Sequence, residues 1–437
     1  MQELMPVSNI SVALDIGTSR VCIVVAEKDE FGKLAILGKA CAPSDGLRRA
    51  TVVNINKTVA AIQAAVTEVE RVSQVVVHGV NVSLSGAHVH CIQSTSEISI
   101  NQSGVVNESD VTRFLEKARS NIQNLDINHE IIHVIPQEFI VDDQDRLLDP
   151  IGMAGTTMRG SAYIVVGLRT NIRNIRQCIE KAGLKVGGLT FQPVASGLGV
   201  IREGENKGGL VVVDIGAGTT EIAVYNNGAI HYSEVITIAA NDVTLDIAHG
   251  VQVPEEVAEQ LKIKYGCADT RFSGKDEEIV IESYDGKPQK TFPKNSLHMI
   301  VEARMMEIFE LVKDSLMSTC YYEDINAGVI ITGGGSLLPG VVELARHVLG
   351  LDVRIGYPEG LSSESKAFFK SPIDSTVIGL AAHLYRNNKA VGQSFATLEP
   401  LPETPPQAVP RQIQKAKELT VDWKKVVDGF QDWWAKL

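Results

Sequence analysis

The chain has 437 residues, more than one core holds, with 44% hydrophobic and 22% charged residues and a formal net charge of −12. That acidity leaves no basic surface for phosphate backbones and argues against nucleic-acid binding, and no 18-residue uncharged apolar run is present to cross a membrane. The six cysteines (Cys22, Cys41, Cys91, Cys178, Cys267, Cys320) are scattered with no CxxC, which reads as reduced thiols in a cytosolic protein rather than a zinc site or disulfide framework; the MQELMPVSNIS start has no signal-peptide character.

Val12–Ala26, VALDIGTSRVCIVVA, reads as strand, tight turn, strand, with Asp15, Gly17, Thr18 and Ser19 at the turn. Glycines there let backbone N–H groups curl round an anion, and the hydroxyls add donors. Leu34–Ala40 continues the strand pattern, and a polar loop holds Leu47-Arg48-Arg49. Asn54–Ser73 carries Val59, Ile62, Val66 and Val69 at helical spacing, and Ser73–Ser85 returns to alternation.

From Gly86 the character changes. His88–Ile100 alternates as strands, and Asn107 caps a helix with Asp110 in its first turn. Glu130–Asp142 and Ser161–Leu168 are further strands, completing an αβ unit that carries no chemical motif and reads as an inserted contact domain. His88, His90, His129 and His133 make no ligand spacing and read as satisfied surface or core histidines. Thr170 is the expected cap of a helix bearing Ile172, Ile175 and Ile179; Leu189–Gly199, LTFQPVASGLG, runs from a strand into a small-residue helix.

Val211–Val224, VVVDIGAGTTEIAV, repeats the first pattern, with Asp214, Gly216, Ala217, Gly218, Thr219 and Thr220 in order. Two such hairpins point to a duplicated fold with a nucleotide between its halves. Asn241–Ala248, Pro254–Lys264 and Ser296–Ser318 read as helices, with Glu259 and Lys262 on one face of the second. Asp269–Pro293 is polar, a surface hairpin or two. Val329–Gly335, VIITGGG, delivers a buried strand into Gly333, Gly334 and Gly335, where backbone can lie flat against a ligand; an apolar helix follows at Ser375–Tyr385.

From Lys389 prolines (Pro400, Pro402, Pro405, Pro406, Pro410) replace periodic apolar residues, which predicts a disordered tether over 389–414. In Lys415–Leu437 the residues Leu419, Trp423, Val426, Val427, Phe430, Trp433, Trp434 and Leu437 share one helical face, with Lys424, Lys425, Asp428, Asp432 and Lys436 on the other. All three tryptophans lie here, so the helix is expected to lie in a membrane interface rather than dock on a partner or on its own body. Five lysines against four acids leave little electrostatic attraction, so the apolar face must supply most of the affinity.

Asp15–Ser19, Gln192–Gly199, Asp214–Thr220, Gly333–Gly335 and Val377–Leu384, in this order, resemble the phosphate, connecting and adenosine segments of the actin-like ATPase superfamily. Within it the chain is similar to the FtsA family of bacterial cell-division proteins, through FQPVASG at Phe191–Gly197, the IPQEFIVDD and GMAGTTMRG stretches, KIKYG at Lys262–Gly266 and the C-terminal amphipathic helix, over Ile10–Tyr385 plus the tail. The resemblance implies an α/β, actin-like (ribonuclease H-like, duplicated) two-lobed fold. Subdomain 1A would comprise 1–85 with 166–195, the inserted 1C 86–165, 2A 196–238 with 311–388, and 2B 239–310, followed by the linker and the 415–437 membrane-targeting helix.

The resemblance further implies ATP and Mg²⁺ in the cleft. Asp15 and Asp214 would hold the metal, largely through water, and both hairpins the phosphates. Glu259 and Lys262 would reach the ribose and base, with Gly333–Gly335 against the adenosine. Gln192 would position the attacking water; a glutamine accepts no proton at neutral pH, so hydrolysis would be slow and serve as a switch. The implied partners are the C-terminal peptide of FtsZ, the tubulin-like division protein, at 2B with Arg304 nearby, further copies of the chain, other division proteins at 1C, and lipid on the inner face of the cell membrane at the division site. Two departures stand out: Ala239-Ala240 replace paired glycines before NDVT, and Ser96-Glu97 replace a turn glycine. A sugar or acetate kinase would need a carboxylate base where this chain has Gln192-Pro193, and a PilM-like pilus scaffold would lack the tether and tail.

Overall fold

Runs of β-branched residues on either side of each glycine turn build two five-stranded sheets of the same design. The computed structural model describes residues 10–122, 125–144, 146–272, 277–282, 288–387 and 396–397. The first sheet has β1 (Ile10–Ile16), β2 (Arg20–Lys28) and β3 (Leu34–Pro43) as an antiparallel meander. Short strands β4 (Leu47–Arg48), β5 (Thr51–Val52) and β6 (Val76–Val77) and helix α1 (Ile55–Ser73), capped by Asn54, lead to β7 (Gly79–Leu84), which pairs parallel to β1. Beyond it lies β11 (Lys185–Phe191), giving the order β3-β2-β1-β7-β11.

The second sheet repeats this. Its meander is β12 (Leu210–Ile215), β13 (Thr220–Asn226) and β14 (Ala229–Ile236); β17 (Val329–Thr332) and β18 (Val353–Ile355) then run parallel to β12, in the order β14-β13-β12-β17-β18. The duplication read from the two glycine hairpins is therefore a duplication of whole sheets.

Between β7 and β11 the chain leaves the first half. Strands β8 (Val89–Ser99), β9 (His129–Val141) and β10 (Thr157–Leu168) form an antiparallel sheet ordered β8-β10-β9, covered by α2 (Glu108–Ser120). Asn107 and Asp110 make a reciprocal capping box on α2. Its core is separate, built on Phe114, Phe139, Val141 and Met158; burying each phenylalanine contributes about 2–3 kcal/mol. Strand β10 starts at Thr157, four residues before the sequence pattern suggested. Helix α3 (Arg169–Lys181) also starts earlier, so Thr170 sits inside its first turn and is not the cap; the capping position is Leu168, without a side-chain bond.

Two short helices tie the halves together: α4 (Gln192–Val200) and α10 (Ser375–Asn387) cross backbone to backbone. A Cβ on Gly379 would lie 1.8 Å from the Ala195 carbonyl, and one on Gly199 2.0 Å from that of Ser375. The small residues of FQPVASGLG are the condition for that crossing. One buried cluster accordingly runs from Val12 and Leu14 through Val200 to Val212 and Ile330.

On the second half α5 (Ala240–Val251), α6 (Glu255–Tyr265) and α7 (Lys294–Met317) pack together beside the hairpin of β15 (Glu278–Ile281) and β16 (Lys290–Pro293). Their apolar faces merge with α8 (Val341–Leu349) and the second sheet in one core. A short α9 (Ser363–Phe368) lies against β3. The expected linker and terminal helix, including Trp423, Val426, Val427, Phe430, Trp433, Trp434 and Leu437, lie outside the described residues, apart from Ala396–Thr397 (β19), which pair antiparallel with β6.

The expectation of six free thiols is corrected: Cys22 and Cys41 face each other across β2 and β3 and form a disulfide. Nineteen residues separate them in sequence, and only the register of the hairpin brings them together. His88 also departs from expectation, because both its ring nitrogens are buried without a partner.

Candidate functional site

The two glycine hairpins have the same internal geometry. The Gly17 N–H donates to the Arg20 carbonyl, and the Gly216 N–H to that of Thr219, each at 2.9 Å. They meet tip to tip: a Cβ on Gly218 would fall 2.5 Å from the Thr18 hydroxyl. Between them opens a cleft of about 420 Å³.

Fourteen of the fifteen residues singled out for this cleft, other than Gln192, line it: Asp15, Gly17, Thr18, Ser19, Asp214, Gly216, Ala217, Gly218, Thr219, Glu259, Lys262, Gly333, Gly334 and Gly335. Gln192 lines it as well. Thr220 is the exception. Its side chain is fully buried and donates to the Ile238 carbonyl at 2.8 Å, bracing the hairpin from behind. Arg304 is not among the lining residues: it lies on α7, where its guanidinium is bound by Asp246 at 2.6 Å and by Glu307, so that it bridges α5 and α7.

The floor of the cleft is acidic. Asp15 accepts from the Ser83 hydroxyl at 2.6 Å; Asp214 Oδ2 accepts from Ser196 at 2.6 Å, Thr376 at 2.8 Å and Gln192 at 3.5 Å. Burial raises the Asp15 carboxyl above its usual range, with the Ser83 bond and the Arg20 charge opposing and Asp214 adding to the rise. Glu221, directly opposite Asp214 in the β12–β13 pairing, is raised as well, by burial and then by the Asp214 charge. Its Oε1 accepts from Ser85 at 2.5 Å, while Oε2 is buried with no partner.

Local cations do not balance these groups. Arg20 lines the cleft but is bound to the Ile373 carbonyl at 2.8 Å and to Asp374, which Lys39 also holds at 2.6 Å. Asp15 and Asp214, the two carboxylates on the cleft floor, fit a hard divalent cation. Among the described residues no three ligating side chains converge on one point. The donor set therefore suits a cation held by Asp15 and Asp214 with water and ligand oxygens completing its shell.

The side walls differ. Lys262 is nearly buried and donates to Glu259 at 2.6 Å, Thr244 at 2.8 Å and the Ala240 carbonyl at 3.0 Å; burial lowers its pKa, with the Glu259 charge opposing. Ala239-Ala240 do not hinder close approach here, since the Ala240 N–H reaches the Gly216 carbonyl at 3.1 Å and that of Asn241 reaches Ala217 at 2.8 Å. Ile263, next to Lys262 on α6, and Leu337 are 75% and 52% exposed yet line the cleft, as do Leu338 and the glycine shelf. Exposed aliphatic side chains flanking bare backbone suit the flat face of a heteroaromatic ring.

Sequence reasoning missed Arg20, Ser196, Glu221, Asn241, Ile263 and Thr376. Glu221 had a legible signal, as the acid that follows the paired threonines. Ser196 and Thr376 had none, because they reach Asp214 only through the α4–α10 crossing.

Residues 211–379 match the family described as "Cell division protein FtsA", and residues 86–166 the "SHS2 domain inserted in FTSA". Proteins named cell division protein FtsA are similar over most of the chain. That of Neisseria meningitidis is 36% identical, covering 84% of this chain and 88% of its own; that of Pseudomonas aeruginosa is 33% identical, covering 89% and 94%. Among solved structures the fold is shared with a PilM–PilN type IV pilus biogenesis complex (TM-score 0.60, 17% identity, 85% of this chain and 98% of that one). It is shared also with MreB5 of Spiroplasma citri bound to ADP (TM-score 0.53, 13% identity, 88% and 98%).

Proposed function

The chain belongs to the FtsA family of cell-division proteins, and on that premise we propose that it is an ATP-switched adaptor joining a cytoskeletal polymer to the membrane. ATP with Mg²⁺ would occupy the cleft, the two hairpins holding the phosphates and the Ile263–Leu337–Gly334 side the adenine. Bound magnesium would supply charge neutralisation at the phosphates. Asp15 and Asp214 would orient its water shell, and Ser196 and Thr376 would fix the Asp214 carboxylate. Gln192, which donates to Asp214, would align a water without taking its proton, giving slow turnover suited to a switch.

The observation that carries the nucleotide reading is the meeting of two equivalent glycine hairpins over an uncompensated acidic floor. The subdomain division is read as 1–85 with 166–195, 86–165, 196–238 with 311–388, and 239–310, with the 86–165 unit serving self-association and recruitment of later division proteins. The 239–310 unit is the proposed seat of the FtsZ C-terminal peptide; Arg304 shapes it through Asp246 and Glu307 rather than as a free cation. The membrane reading rests on the sequence of the tail, where Trp423, Val426, Val427, Phe430, Trp433, Trp434 and Leu437 recur at the spacing of one face of a helix. No helix among the described residues is long and apolar enough to cross a membrane.

Co-sedimentation with liposomes, with and without ATP and an FtsZ tail peptide, tests these parts together. Wild-type chain should pellet and carry the peptide with it. Changing Trp433 and Trp434 to Glu should abolish pelleting while ATP binding persists; unchanged sedimentation would remove the membrane claim. Label transferred from ATP to a small alcohol or carboxylate would instead support a metabolic kinase.

A further inference from the structure

The first sheet carries one row of side chains that links the cleft to the disulfide. Thr190 pairs with Ser83 across β11 and β7, Ser83 donates to Asp15 on β1, Asp15 pairs with Cys22 on β2, and Cys22 pairs with Cys41 on β3. Residues directly opposite on neighbouring strands project from the same face. The disulfide therefore ends the row in which Asp15 sits, and Cys22 follows the Gly17–Arg20 turn by two residues. Cys22 is wholly buried, whereas Cys41 is exposed.

We propose that Cys22 and Cys41 form a redox switch that sets how firmly the first phosphate hairpin and Asp15 are held. The inference rests on the nucleotide reading of the cleft and adds a control to it. Oxidised, the bond fixes β2 against β3 and hence the strand that leaves the hairpin. Reduced, Cys22 is a small apolar residue in a packed core and Cys41 a surface thiol, so the sheet persists in either state. Cys41 lies on the exposed side of the pair, the end from which a reductant would approach.

The chemistry balances with a dithiol as reductant. Its thiolate attacks the Cys41 sulfur, the Cys22–Cys41 bond breaks, and Cys22 leaves as a thiolate that takes up a proton. The second thiol of the reductant then displaces Cys41 from the mixed disulfide. Two electrons pass to the protein and the reductant departs as its own disulfide. Glutathione disulfide, by the reverse exchange, restores the cross-link.

The test uses the full chain with C320S, which removes the exposed thiol outside the pair. It is treated with glutathione disulfide or with dithiothreitol, and thiol state is read by alkylation and peptide mass spectrometry. Binding of a fluorescent ATP analogue with Mg²⁺ is then titrated. The oxidised form should show the linked peptide and bind at least about fivefold more tightly than the reduced form. Adding C41S should give the reduced affinity under both treatments. Failure to form the linked peptide, or equal affinities with the link present, overturns the switch while leaving the nucleotide reading intact. Absence of binding in every form overturns the nucleotide reading and the switch with it.

Discussion

Acidification should loosen the segment that presents Gln192, through a single imidazole. His133, on β9 of the inserted sheet, accepts a hydrogen bond at Nε2 from the Phe191 N–H at 3.0 Å, one residue before Gln192. Its ring also meets His383 edge-on at 6.0 Å. Burial, and then the His383 charge, push its pKa from 6.5 down to about 4. A ring that refuses a proton in the folded state makes folding weaker as pH falls. The unfolded chain binds that proton below 6.5, so stability is flat above 6.5 and declines between 6.5 and about 4. At about 1.4 kcal/mol per pKa unit the loss would be about 3.5 kcal/mol for a fully enclosed ring; His133 is only half-buried, which reduces it to about 2 kcal/mol.

Urea unfolding of wild type and His133→Gln at a series of pH values measures this. Glutamine keeps an acceptor for the Phe191 N–H and cannot titrate. Above the histidine range the two should differ little, while wild type should lose about 2 kcal/mol more than the variant on acidification. His88 titrates in the same window, since burial lowers its pKa to about 4 as well, but it is common to both proteins and cancels. Equal pH dependence of the two proteins would refute the argument.

Gly218→Val should force the hairpin tips apart, because its Cβ would meet the Thr18 side chain at 2.5 Å. Nucleotide affinity, read by fluorescence titration, should fall by about tenfold or more with the thermal midpoint nearly unchanged. Gly379→Ala should cost about 2–3 kcal/mol in denaturant unfolding, since the added methyl meets the Ala195 carbonyl and backbone has little room to yield. Asp142 on the inserted unit accepts bonds from Thr156 and Thr157, which hold its carboxyl down at about 2. That contribution is present above the ordinary carboxylate value of 3.8 and is lost as pH falls towards 2. In Asp142→Asn, amide exchange at Thr156 and Thr157 should therefore accelerate at neutral pH; unchanged exchange would remove the role.

Local pattern made the hairpins, the capped helices α1 and α2 and the glycine shelf legible, since each is encoded by neighbours in the chain. Asp15 and Asp214 stood out because the turn that positions them lies within five residues of each. Thr220 could not be separated from Thr219 in the same way. Both follow the turn, and only the strand register decides that one hydroxyl faces the cleft and the other the Ile238 carbonyl. Thr170 failed as a cap for a similar reason: β10 runs directly into α3, and the sheet rather than a side chain fixes where the helix begins.

The sequence by itself determined that two equivalent glycine turns exist, each between apolar strands, because turn chemistry is local. Tertiary structure alone decided what surrounds the cleft between them. Ser196 and Thr376 reach Asp214 from helices 180 residues apart in sequence, Glu221 closes on Ser85 across the two halves, and Cys22 finds Cys41 through the register of one hairpin. Such contacts depend on how sheets and helices are stacked, which no short stretch of chain specifies.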